Sequence, residues 1–379
     1  MPHRFSFPTT IHFGAGVRSM IADNLKAAGV SRPLVVTDKG IAALPLLGEI
    51  TGALENAGLA AQVFSGIWGN PVKSQVEAGV AAFRAHKADG IAGLGGGAAL
   101  VVAKAIALLA THPGDLFDYE DDKPGARPID KDVPYWVAVP TTAGTGSEVG
   151  RSSVVSDDVT HIKKIIFSPK LLAKAVFADP ELTVGLPPAM TAASGMDALT
   201  HCVEAFLAKD YHPICDGIAL EGLRLAAENL VTAFEKPNDL EARGAMLMAS
   251  MMGAIAFQKG LGLTHSCAHA LGTVADMHHG LANGVMIDHA LAFNAEVSAD
   301  RFRRMAQTVG LADPGAKSFL AWLADLKKKV GIPARLRDAK IEQAQLDELV
   351  EVATADGCHP NNPKPVTKAD FAAIFRAAY

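Results

Sequence analysis

The residues of this 379-residue chain best suited to chemistry are histidines and carboxylates set in otherwise apolar, helix-length sequence. Gly195-Met196-Asp197-Ala198-Leu199-Thr200-His201 places a carboxylate and an imidazole four residues apart, on one face of a helix. Thr264-His265-Ser266-Cys267-Ala268-His269 repeats that spacing with two imidazoles, and His278-His279-Gly280 follows. A lone histidine in such surroundings reads as a hydrogen-bonded core residue. An aspartate with several histidines reads instead as a divalent-metal site, because buried imidazoles need partners. Three imidazoles and one carboxylate suit Fe2+ and Zn2+ alike. Ser266 follows His265 with no glutamate after it, so the HExxH arrangement of a zinc protease, with its general base, is absent.

A second group of residues suits phosphate and ribose. Gly95-Gly96-Gly97 follows the apolar run Gly90-Ile91-Ala92-Gly93-Leu94 and opens a helical stretch containing Lys104. Glycines at a strand-to-helix turn let the backbone approach a pyrophosphate, and the helix start presents free N–H groups. The triplet alone fits a bare tight turn equally well. Pro140 to Glu148 strengthens the case, because it ends another apolar run with two glycines and the hydroxyls of Thr141, Thr142, Thr145 and Ser147. Asp38 closes Leu34-Val35-Val36-Thr37, where a carboxylate accepts both hydroxyls of an adenosine ribose and repels a 2′-phosphate, favouring NAD over NADP. Position alone also fits a turn aspartate before Gly40. Phe13-Gly14-Ala15-Gly16 begins like a dinucleotide fingerprint, but position 19 is Ser19 and no strand clearly precedes it, so it reads as a turn.

The elements that must hold these residues change in texture along the chain. Leu34–Thr37, Ala61–Phe64, Gly90–Leu94, Trp136–Val139 and Val176–Ala178 are strand-length, alternating with helix-length patterns such as Gln75–His86 and Ala98–Leu109. That alternation specifies a mostly parallel sheet covered by helices. After the linker-like Gly185-Leu186-Pro187-Pro188 the strand signals stop. Ala189–Ala208, Pro213–Phe234, Asp239–Phe257, Thr264–Met277, Ser298–Val309 and Lys317–Val330 read as successive helices, several nearly apolar and therefore buried. The expected architecture is an α/β dinucleotide-binding domain over residues 1–185 and an all-α, metal-binding catalytic domain over residues 186–379, with a ligand cleft between them.

Composition narrows the function. Two domains suit this length, and 49% hydrophobic with 20% charged residues supplies core material for both. A net charge of -5 lacks the clustered basic excess of a nucleic-acid binder. The N-terminal MPHRFSFPTTIHFG has no apolar run of signal-peptide length, and nothing reads as a membrane span. Cys202, Cys215, Cys267 and Cys358 form no CxxC pair and are too few for a disulfide framework, which fits the cytoplasm and small buried hydrophobes.

Taken together, GMDALTH at 195–201, the His265 to His269 run, His279-Gly280, PTTAGTGSE at 140–148 and the glycine triplet resemble the iron-containing (group III) alcohol dehydrogenases, in order from about Phe13 to Asn362-Pro363. The resemblance implies a small alcohol or aldehyde as substrate, NAD as cofactor, Fe2+ (or Zn2+) as metal, and a homodimer or larger homo-oligomer. It implies that Asp197, His201, His265 and His279 ligate the metal, with His269 beside the nicotinamide as the catalytic proton relay. It matches Asp38 to the ribose carboxylate, and Asn70, Lys163, Thr141, Thr142 and Thr145 to cofactor contacts; His278 is read as a non-ligand.

Two departures stand out: Ala98-Ala99-Leu100-Val101 replaces the family's Ser-Pro-x-Asp, and Phe257-Gln258-Lys259-Gly260 replaces a small, neutral stretch. The first predicts altered cofactor affinity with the backbone cradle kept. Arg151 after the threonine loop, with Phe257 and Lys259 before His265, mark an expected substrate side suited to an anionic hydroxy acid. The competing readings are a metal-free maleylacetate-type reductase, a dehydroquinate-synthase-like lyase and a non-catalytic paralogue.

Overall fold

A computed structural model describes residues 9–121 and 123–379. The first residues of the N-terminal stretch read above for a leader, 1–8, lie outside the described residues. The chain forms two compact units. Of the described residues, one comprises 9–142 with Ser147–Thr183, the other Ala143–Gly146 with Val184–Tyr379.

The first unit is α/β. Its strands are β1 (Thr10–Phe13), β2 (Pro33–Asp38), β3 (Gln62–Ile67), β4 (Gly90–Gly95), β5 (Tyr135–Pro140), β6 (Ser152–Ser156), β7 (Lys163–Phe167) and β8 (Ala175–Ala178). Its helices are α1 (Ile21–Ala27), α2 (Lys39–Ala42), α3 (Pro45–Asn56), α4 (Lys73–His86) and α5 (Gly97–Thr111). Six strands form one parallel sheet in the order β1-β8-β5-β4-β2-β3. β4 and β8 are buried along their whole length, which is why their sequences are continuous apolar runs and not alternating ones. The chain leaves β2 toward β3 on one side and returns to β4 on the other, so its direction across the sheet reverses there. Crevices at the carboxyl ends beside such a reversal are where open α/β sheets bind ligands.

Two strand features depart from the sequence reading. A strand, β1, does precede Gly14, pairing with β8, although Gly14 and Gly16 themselves form a turn at positive φ. An antiparallel ribbon, β6–β7, follows the threonine loop.

The second unit is helical: α6 (Pro188–Leu207), α7 (Pro213–Glu235), α8 (Leu240–Ala256), α9 (Leu263–Ala275), α10 (His279–Asn294), α11 (Ala299–Thr308), α12 (Ala316–Lys329), α13 (Leu346–Ala355) and α14 (Lys368–Ala378). α10, α13 and α14 were not anticipated. α6 is buried from Thr191 through Leu207, so its polar residues must be satisfied inside the unit. Leu240–Lys259 is long and apolar enough to cross a membrane by length and composition, but it is mostly buried within the protein, as the core helix of a bundle is. α9 stops two residues earlier than expected, because Asp276 turns left-handed at φ 47°. That turn sends the chain straight into α10 and returns His279 toward His265.

Candidate active site

α6 carries Asp197, His201 and Glu204 on one face, at spacings of four and three residues. α9 carries His265 and His269, and His279 is the first residue of α10. One ligand-capable atom from each of Asp197, His201, His265 and His279 lies within 4.8 Å of the others. The close approach of α10 to α6 depends on Gly280, where a Cβ would stand 2.3 Å from the Ala193 carbonyl oxygen. The His201 and His265 rings stack at 4.5 Å, and the Phe257 ring covers His201 at 5.1 Å. Burial pushes the His201 imidazole down to about 4, so it is neutral near pH 7.

Two observations show that this set suits a cation. The Asn283 amide nitrogen lies 2.8 Å from Asp197 Oδ1 and 3.3 Å from both His265 Nε2 and His279 Nε2, so three lone pairs converge on one point. The buried Nδ1 of His201 has no hydrogen-bond partner among the described residues. A divalent ion satisfies an oxygen-plus-imidazole set of this kind.

Two carboxylates absent from the sequence reading, Glu204 and Asp356, hold the histidines of α9. Glu204 Oε2 lies 2.7 Å from His265 Nδ1, and the carboxylate also accepts the backbone N–H groups of Gly262, Thr264 and His265. Burial works against its charge, yet the bonds from His265 and Thr264 hold it below the usual glutamate range. Asp356 Oδ2 lies 2.7 Å from His269 Nδ1, while its Oδ1 accepts from the Ser266 hydroxyl and the Cys358 N–H. Those contacts overcome burial and hold Asp356 well below the usual carboxylate range. The Thr145 hydroxyl, expected at a cofactor, donates to Asp197 Oδ2 at 3.3 Å. His278 caps the start of α10 as an exposed residue.

The α/β unit brings together the residues expected to meet a dinucleotide. Asp38, Gly95 and Pro140 end β2, β4 and β5, which neighbour one another in the parallel sheet, and the Thr141 N–H donates to the Gly95 carbonyl at 3.1 Å. Gly95 sits at φ 144°, and a Cβ there would stand 2.8 Å from Ala99 Cβ and 3.0 Å from Asp38 Oδ2. Gly96 caps α5 and Gly97 opens it, so this helix start carries no side chain over its N–H groups. Asp38 acts locally as a cap, its Oδ1 accepting the Ile41 N–H at the start of α2 at 2.9 Å, while its Oδ2 stands over Gly95. Ala98 and Val101 lie on the first turns of α5, and Asn70 follows the carboxyl end of β3. Lys164 pairs with Glu120 at 2.8 Å, and Lys163 takes the opposite face of β7.

The expected substrate side is only partly met. Lys259 is 2% exposed, and its ammonium is bonded to Asp216 and to the Phe206 carbonyl. It is a buried structural ion pair, so the expectation of a cation awaiting an anionic ligand is corrected at this residue. Phe257 contacts His201, as above. The Arg151 guanidinium packs over the Phe167 ring at 5.2 Å on the β6–β7 ribbon.

Comparison with known proteins covers both units. The model of the iron-containing alcohol dehydrogenases matches residues 8–180, and that of the Fe-containing alcohol dehydrogenase family, C-terminal, matches residues 191–379. A 4-hydroxybutyrate dehydrogenase of Cupriavidus necator is 40% identical over 374 residues, spanning 96% of this chain and 96% of that protein. Among solved structures, a 1,3-propanediol oxidoreductase superposes with a TM-score of 0.95 at 35% identity, with 100% of each chain covered. A sulfoacetaldehyde reductase from Bifidobacterium kashiwanohense, solved in complex with NAD+, superposes with a TM-score of 0.89 at 29% identity over 100% of this chain and 99% of that one.

Proposed function

The chain belongs to the iron-containing alcohol dehydrogenase family, and on that footing we propose that it interconverts a short alcohol and its aldehyde with NAD, using a metal held by Asp197, His201, His265 and His279. The observation that carries this reading is the convergence of those four ligand atoms within 4.8 Å. Fe2+ or Zn2+ held there supplies Lewis acidity toward an alcohol hydroxyl, and the nicotinamide supplies the hydride acceptor. The protein does the rest. Asp38 holds the adenosine ribose, the Gly95–Gly97 turn and the start of α5 hold the pyrophosphate, and Asn70, Thr141, Thr142 and Lys163 complete the cofactor contacts. Thr145 steadies Asp197 through its hydroxyl. Asp356 fixes Nδ1 of His269 as the protonated nitrogen, leaving Nε2 to accept and pass on the alcohol proton. Residues 1–185 serve as the dinucleotide-binding domain and 186–379 as the catalytic domain, in a cytoplasmic homodimer or larger assembly.

The substrate we infer is a short hydroxy acid or aldehyde acid. Of the relatives above, one is named for 4-hydroxybutyrate and one for sulfoacetaldehyde, both anionic, and one for a neutral diol. Arg151 follows the threonine loop, and its guanidinium has the planar fork that grips a carboxylate or sulfonate through two parallel hydrogen bonds. The test is NADH formation at 340 nm with protein loaded with Fe2+ or Zn2+, comparing kcat/KM for 4-hydroxybutyrate and 1-butanol in wild type and Arg151→Ala. The expected result is a preference for the hydroxy acid that falls about tenfold in the variant, ~1.4 kcal/mol. Preference for 1-butanol with an unchanged ratio in the variant removes the anionic pocket. No NADH from any alcohol makes the chain a non-catalytic paralogue.

A further inference from the structure

α9 opens without a cap of its own. Its N-cap is Gly262, which has no side chain to accept the first free N–H groups, and the helix start is buried. The acceptor comes from another helix. Glu204 of α6, 3% exposed, takes the N–H groups of Gly262 at 3.0 Å, Thr264 at 2.6 Å and His265 at 3.2 Å. The same carboxylate meets His265 Nδ1 at 2.7 Å. An ionised carboxylate only accepts, so the proton of a neutral His265 must sit on Nδ1. The lone pair is then on Nε2, the atom that lies 3.3 Å from Asn283 Nδ2 among the candidate ligands.

We propose that Glu204 is the positioning residue of the metal centre: it selects the His265 tautomer that can ligate and anchors the first turn of α9 to the helix that carries Asp197 and His201. The inference rests on the metal reading above. Glu204 lies seven residues beyond Asp197 and three beyond His201, on the same face of α6, so one rigid helix sets two candidate ligands directly and aims a third. A glutamate confined to capping α9 would stabilise the fold and leave metal affinity alone. One that also aims His265 must change metal affinity in the folded protein.

Zn2+ affinity measured by competition with a chromogenic chelator separates these roles, with metal-free thermal unfolding recorded beside it, for wild type, Glu204→Gln and Glu204→Leu. The amide of glutamine still offers one acceptor oxygen to Nδ1 but no charge, whereas leucine offers neither. The expected order of affinity is wild type, then Glu204→Gln, then Glu204→Leu, with a loss of about ten- to a hundredfold at the end of the series. Lowered melting temperature with wild-type Zn2+ affinity in both variants overturns the proposal and leaves Glu204 a helix cap. If Glu204→Leu does not fold, Glu204→Gln decides: full affinity overturns the proposal, and a tenfold loss upholds it. If wild type itself holds no Zn2+, the metal reading fails and this inference falls with it.

Discussion

Asp38 has two tasks at the end of β2, capping α2 with one oxygen and standing over Gly95 with the other. Asp38→Asn keeps an acceptor for the Ile41 N–H and removes the charge, which makes it a cleaner probe than glycine. Wild type is expected to favour NAD over NADP on kcat/KM, and Asp38→Asn to narrow that gap about tenfold, ~1.4 kcal/mol, mainly through tighter NADP binding. A wild type that already prefers NADP removes the ribose role. At this scale the sequence was legible where spacing alone carries the signal, as for Asp197 and His201 one helical turn apart. Glu204 shares their face and was within reach of the same argument, as a buried acid in an apolar helix that needs a partner. Asn283 and Asp356 were out of reach, because the histidines they serve are set by the turn after α9 and by the segment after α13. Lys259 was misread for the same reason: its partner, Asp216, lies on α7, 43 residues away.

The elements owe their places to a few polar ties inside apolar packing. Lys104 on α5 is fully buried, donating to the Ser147 hydroxyl at 2.9 Å and the Ser152 carbonyl at 3.0 Å, with Glu148 as the nearby charge. Burial pushes the lysine down to about 7 and the glutamate up to about 7. One ammonium therefore joins the helix after the glycine turn to the end of the threonine loop and the start of β6. Lys104→Met leaves Glu148 buried without a counter-charge and is expected to cost about 3 kcal/mol in urea unfolding. Adding Glu148→Gln to that variant should return at least about 1 kcal/mol, the coupling expected of groups that share one buried electrostatic environment. Strictly additive losses in the two single variants and the double contradict the tie. α6, α8 and β4 were legible because extensive burial leaves a mark in composition, and α7 because its buried residues recur with helical spacing. β1, β6 and β7 are only four or five residues long, too short for the run that a periodic signal needs, whereas α10 opens straight from a tight turn with no linker rich in glycine or proline to mark its start.

At the scale of the molecule, the chain divides its chemistry as it divides its cores. The candidate ligands all belong to the helical unit, whereas Asp38, the glycine turn, Thr141 and Thr142 belong to the α/β unit. The fold class was legible because a βαβ texture and a run of apolar helices demand different layers. The assignment of Ala143–Gly146 to the helical unit was not, since a loop's allegiance depends on what it packs against; Ser250 holds the Gly144 carbonyl at 2.9 Å. With the candidate metal ligands in one unit and most of the residues proposed for the nucleotide in the other, losing a ligand should spare nucleotide binding. The most direct test is the metal content of wild type and His265→Ala by elemental analysis, after loading with Fe2+ or Zn2+ and desalting, with NAD binding recorded as a control for folding. The expected result is about one ion per chain in wild type and almost none in a variant that still binds NAD but has lost activity. Equal metal in both proteins, with His265→Ala still active, would contradict the metal centre.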